Sequence, residues 1–143
     1  RWDSLGEFLA LAVSLEDLGI KDGNPRAKLL AKTLDAATGK LLDNNKSPSP
    51  RTGELDNRGP QFYLPIFWAQ DLTNQTKDQE LAAHFAKLAK TLTDSEAQIV
   101  AELKTVQGKP VDIGGYYKAD SEKCKAVMRP SPTLNAALKA ARV

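Results

Sequence analysis

Arginine is the side chain best suited to gripping a phosphate or carboxylate, and residues 44–59, NNKSPSPRTGELDNRG, set Arg51 and Arg58 among turn formers and acidic groups. Two alternatives follow from the residue types. The guanidinium forks hold an anion in bidentate fashion, or they pair with Glu54 and Asp56 to maintain the loop's own shape. A connection this long is usually functional or disordered. Because Leu41-Leu42 and Phe62-Tyr63-Leu64 bracket it and want burial, the segment is expected to be an ordered loop on a packed surface. A further candidate is Arg1, braced by Trp2 and followed by Asp3 and Ser4 at the start of a helix. Together with the free N–H groups of that helix start, Arg1 and the arginine-bearing loop are expected to converge on one phosphate.

The rest of the chain supplies no catalytic set. His84 is the only histidine and has no partner at metal-ligand spacing, so it is expected to be structural or solvent-facing. Cys124 has no histidine nearby in sequence, and Ser47 and Ser49 lie outside any nucleophile-elbow pattern. Asp112 and Asp120 flank Gly114-Gly115 without an EF-hand arrangement. Tyr116-Tyr117 is expected to be a packing anchor. No catalytic or metal-ligating residue is therefore assigned.

Helical periodicity dominates the elements that must position these groups. Ser4 and Glu7 match a capping box ahead of a stripe of Leu5, Phe8, Leu9, Ala12, Leu15 and Leu18, with Gly19 as the stop. Asn24-Pro25 opens a second helix with Leu30, Leu34, Ala37 and Leu41 inward. After the long loop, Pro60 is expected to open a third helix carrying Phe62, Ile66, Phe67, Ala69 and Leu72, with Trp68 beside the stripe. Pro65 should kink that helix or delay its start. Thr76 with Gln79, and Thr93 with Glu96, match two more capping boxes, for helices burying Leu81, Phe85, Leu88 and Leu92, and then Ile99, Leu103 and Val106 up to Gly108. An extended segment from Lys109 to Tyr117, a short helix around Cys124 to Met128, and a last one from Ser131-Pro132 to Arg142 follow. The pattern predicts a mainly α unit over 1–143, five or six amphipathic helices packed antiparallel, with no Rossmann or P-loop glycine motif.

Composition narrows the class further. Lys+Arg 20 against Asp+Glu 18 leaves a net charge of +2 with the signs interspersed, which argues against a nucleic-acid partner. The single cysteine excludes an intramolecular disulfide and fits a reducing, cytoplasmic setting. The apolar run from Phe8 to Val13 is too short to span a bilayer, so a soluble protein with no membrane partner is expected. The chain opens on Arg1-Trp2-Asp3 without a methionine, as expected for a piece of something longer.

The strings RWDSLGEFLALA, LLDNNKSPS, GELDNRG followed by FYL and WAQ, QGKPVDIGGYY, and MRPS followed by NAAL resemble the carboxy-terminal portion of monomeric-type NADP-dependent isocitrate dehydrogenases. The resemblance runs over essentially the whole chain. It implies the last fifth or so of a larger α/β enzyme that decarboxylates isocitrate oxidatively to 2-oxoglutarate, with NADP as hydride acceptor and Mg²⁺ or Mn²⁺ in the complete enzyme. By the same resemblance, the metal and isocitrate ligands lie upstream, in the remainder of the same enzyme, and the segment alone is inactive. Arg1, Trp2 and Asp3 match the element at the adenosine 2′-phosphate of NADP, and Arg51 is implied as the second arginine of that site. Two positions depart from the family pattern: Pro50 occupies the customary arginine position ahead of Arg51, and Pro65 stands where the family has alanine. The alternative reading, from a different class, is a stand-alone helical interaction module that binds an acidic partner through the 44–59 loop.

Overall fold

The computed structural model describes residues 4–142. Its regular elements are seven helices: α1 (Leu5–Lys21), α2 (Pro25–Asp43), α3 (Arg58–Asn74), α4 (Gln79–Asp94), α5 (Glu96–Lys104), α6 (Ser121–Met128) and α7 (Pro132–Ala140). Each of the seven helical segments read from the sequence is present, and the short one around Cys124 begins earlier than expected, at Ser121. Asp120 caps it, its carboxylate accepting from the backbone N–H groups of Glu122 and Lys123 at 3.0 and 2.9 Å. Asp120 was not foreseen as a cap.

Asn24 and Pro25 open α2 as anticipated, the Asn24 side chain accepting from Arg26 N and Ala27 N. The short connection lays α2 back along α1, α3 packs on α2, and α4 on α3, while α7 bridges α4 and α5. The core runs through all of them: Phe8 and Ala12 from α1, Leu34, Ala37 and Leu41 from α2, Leu88 and Leu92 from α4, Ile99 and Leu103 from α5, Leu134 and Ala137 from α7. At its centre α3 buries Phe62, Tyr63, Leu64, Ile66, Ala69 and Leu72, too many faces for a surface helix. Trp68 satisfies its indole N–H on Thr33 Oγ1 of α2 at 2.9 Å.

Several sequence expectations are corrected. The Ser4 hydroxyl does not cap α1: Ser4 is buried, its backbone is outside the extended region favoured at an N-cap, and its Oγ accepts from Gln61 Nε2 at 2.9 Å. Leu9 and Leu18 point outward. Gly19 does not end α1, which continues to Lys21; the chain turns at Gly23, φ 60°. Gly19 instead lies against α2, where an added Cβ would sit 2.8 Å from Lys28 N. α3 starts at Arg58, before Pro60, and runs through Pro65 without delay.

Neither of the later capping boxes forms. Asp78, not Thr76, caps α4 by accepting from Leu81 N at 2.9 Å, because Arg26 Nε at 2.7 Å fixes its carboxylate. That cap and the arginine hold Asp78 below the ordinary aspartate range. Arg26 also reaches Glu80. Thr93 stays inside α4 with its hydroxyl on Ala89 O at 2.8 Å, and Glu96 accepts instead from the Tyr63 hydroxyl at 2.8 Å. Val106 lies past the end of α5 and is only partly buried. Tyr116 and Tyr117 are fully exposed rather than packing anchors, since the Gly114-Gly115 turn lifts them off the body.

The start of α7 hangs on one carboxylate. Ser131 Oγ accepts from Leu134 N at 3.0 Å and donates to Glu102 Oε2 at 2.6 Å, while Thr133 donates through its hydroxyl at 2.8 Å. These donors, Ser131 first, hold the Glu102 carboxyl below the ordinary glutamate value of 4.5. A lowered folded value means that the stabilisation is present above 4.5 and is lost as pH falls through the lower folded value. Glu102→Gln should therefore be less stable at neutral pH and lose less stability on acidification, read as the urea midpoint across pH. An acid limb unchanged by the substitution would remove Glu102 from this role. Gly19→Ala should cost about 1–3 kcal/mol through overpacking, outweighing a helix-propensity gain of roughly 1 kcal/mol. A stability equal to or above that of the parent in urea would mean that α1 and α2 are not in close apposition there.

Candidate functional site

The connection between α2 and α3 is an ordered loop built from short-range bonds. Asn45 takes the left-handed region at φ 54° and Lys46 N reaches back to Leu41 O at 2.9 Å, terminating α2. Lys46 Nζ then stands 4.2 Å from the centre of the Tyr63 ring, and Pro48 is fully buried. These two contacts anchor the entrance of the loop on the core.

Its tip is closed by Ser49 N on Leu55 O at 2.6 Å, while the Ser49 hydroxyl donates to Glu54 and accepts from Arg51 N at 3.2 Å. Gly53 takes a positive φ of 89° between them. Leu55 folds over Gly59, where any side chain would collide with the Leu55 methyl groups. The exit is braced by Asp56: one oxygen accepts from Arg58 N at 2.9 Å and the other pairs with the Arg58 guanidinium. Arg58 Nε in turn donates to Val127 O at 2.8 Å, at the end of α6.

Both arginines pair with an acidic group of the loop, to different degrees. Arg58 is largely buried and consumed by the loop's own architecture. Arg51 is 80% exposed at the tip, its Nη1 3.6 Å from Glu54 Oε1, a loose pair in water. Arg1, Trp2 and Asp3 lie outside the described residues. Ser4, the next residue, is tied to Gln61 in the first turn of α3, so the start of α1 and the exit of the loop meet. Sequence reasoning missed Gln107, whose carboxamide binds three groups of the loop from the turn after α5. No local motif marks it, because its partners lie about fifty positions earlier in the chain.

His84 is exposed and edge-on to Phe85. Among the described residues, no group of three or more His, Cys, Asp and Glu side chains is arranged to hold a metal ion. No helix there is long and apolar enough to cross a membrane.

Comparison with known proteins gives this geometry a family. The model of the monomeric isocitrate dehydrogenase family matches residues 1–139. The chain is 70% identical over 140 residues to isocitrate dehydrogenase [NADP] 2 of Mycobacterium tuberculosis, covering 98% of this chain and 19% of that protein. It is 61% identical over 138 residues to isocitrate dehydrogenase [NADP] of Azotobacter vinelandii, covering 96% and 19%. With isocitrate dehydrogenase [NADP] 2 of Colwellia maris it shares 59% over 140 residues, covering 98% and 19%. It therefore spans about a fifth of the length of these relatives, and it belongs to the monomeric isocitrate dehydrogenase family.

Proposed function

We propose that this chain is the carboxy-terminal segment of an NADP-dependent isocitrate dehydrogenase and supplies part of its site for the NADP 2′-phosphate. The observation that carries the reading is Arg51, an exposed guanidinium on a loop whose backbone is tied down on both sides. The relatives' names give the cofactor as NADP. The cofactor serves as hydride acceptor in the oxidative decarboxylation of isocitrate, while this chain's part is to bind and orient it. Arg51 grips the phosphate that distinguishes NADP from NAD, and Glu54 keeps the guanidinium near its working position until that phosphate arrives. Pro50 stiffens the backbone ahead of Arg51. Arg1, with Trp2 and Asp3, supplies the second cationic side of the site. The link from Ser4 to Gln61 supports that convergence, since it ties the residue after Asp3 to the helix the loop enters.

The isocitrate ligands and the Mg²⁺ or Mn²⁺ site belong to the remainder of the same enzyme, working in the cytoplasm. Among the described residues, no group of three or more His, Cys, Asp and Glu side chains is placed to hold such an ion. The outer side of α1 supports that arrangement. Leu9, Val13 and Ile20 are exposed there along a groove shared with Lys28 and Lys32 of α2. A surface of this kind is covered by the rest of the polypeptide in the complete enzyme. A stand-alone module would leave it in water.

In the complete enzyme, Arg51→Ala and Arg1→Ala should each raise the KM for NADP by about tenfold or more while moving that for NAD little, as expected for a lost charge-assisted contact. Equal effects on the two cofactors in steady-state kinetics would remove that arginine from the phosphate site. The isolated 143-residue segment should form no NADPH from isocitrate at any Mg²⁺ or Mn²⁺ concentration. Turnover by a preparation of that mass alone would overturn the assignment of catalysis to the remainder.

A further inference from the structure

We infer that Gln107 is a positioning residue for the cofactor phosphate, acting through the loop that carries Arg51; the inference rests on the phosphate-site reading of that arginine. Gln107 sits in the turn after α5, just ahead of Gly108 at φ 73°. Its Oε1 accepts from Gly53 N at 2.7 Å, and its Nε2 donates to Glu54 O at 3.0 Å and to Asp56 Oδ2 at 2.8 Å. All three partners belong to the loop. One carboxamide thus uses its acceptor and both of its donors on a span of four positions.

No other side chain of this size repeats the pattern. A glutamate cannot donate to Glu54 O and would face the Asp56 carboxylate, a lysine cannot accept from Gly53, and an asparagine is one methylene short. The turn and the loop are seated on each other as well, for a Cβ on Gly108 would stand 3.0 Å from the Thr52 γ-methyl group. Arg51 lies between Ser49, which closes the tip, and Gly53, which the carboxamide holds. Its backbone is therefore fixed on both flanks while its side chain stays exposed and only loosely paired with Glu54, so less freedom is lost when a phosphate is gripped. Asp56 serves the Gln107 clamp and the Arg58 brace with the same oxygen, which makes the clamp part of the loop's exit.

The test is steady-state kinetics on the complete enzyme with Gln107→Ala, Gln107→Glu, Arg51→Ala and the Gln107→Ala/Arg51→Ala pair, with NADP and NAD as alternative cofactors. Gln107→Ala should raise the KM for NADP about five- to tenfold, kcat and the KM for NAD changing by less than about twofold. Gln107→Glu should not rescue it. In the background of Arg51→Ala, removing Gln107 should have no further effect, because both act on one contact. Hydrogen exchange over residues 49–56 should rise in Gln107→Ala. If Arg51→Ala raises the KM for NADP and Gln107→Ala does not, or if the two add independently, the positioning role fails while the phosphate-site reading stands. If Arg51→Ala is itself silent, that reading fails and the positioning role falls with it.

Discussion

Everything in this chain is arranged around the burial of α3. A helix that turns Phe62, Tyr63, Leu64, Ile66, Ala69 and Leu72 inward has little of its surface to leave in water, so α2, α4 and α5 each cover part of it. Polar groups on that helix then have to be met within the core or at its edge. Tyr63 finds Glu96 and Trp68 finds Thr33, while Asp71 pairs with Lys40 of α2. The enclosure raises the Tyr63 phenol well above the usual tyrosine range, burial first and the neighbouring glutamate second. It stays neutral and keeps donating.

The loop is the entry to that central helix, and its rigidity follows from where it must deliver the chain. Lys46 and Pro48 pin the entrance on the core, Leu55 fills the space above Gly59, and Asp56 turns the backbone into the first helical residue. What remains outside is the short tip with Arg51. The same framework that fixes the core thus presents the Arg51 guanidinium at the surface, held only loosely by Glu54. Arg58, alike in charge, is spent on structure because it is the first residue of the packed helix.

Features carried by contiguous residues were legible in the sequence. Asn24-Pro25 opens α2, and the pairing of Asp56 with Arg58 was one of two alternatives that the spacing of GELDNRG allowed. Features set by a distant partner were not. Thr76 and Thr93 both matched a capping pattern, but Arg26 had already oriented Asp78, and Glu96 was taken by Tyr63. Gly19 resembled a stop signal and proved to be a contact point, since only the position of α2 reveals why a side chain is excluded there. Tyr116 and Tyr117 had the composition of an anchor, but the Gly114-Gly115 turn keeps them off the core. The family was legible because GELDNRG and PVDIGGYY are long, specific strings. No single residue type in them would have sufficed.

The Arg58 brace ends on Val127, 69 positions further along the chain, and the Gln107 clamp reaches its loop across 51 to 54. Such contacts form only after the intervening helices have been made, because closing a long span costs entropy that local turns do not. On a ribosome, which extends the chain from the N-terminal side, the loop emerges long before either holder exists. Those two distant holds are therefore the last of the loop's contacts to close, after its own short-range bonds.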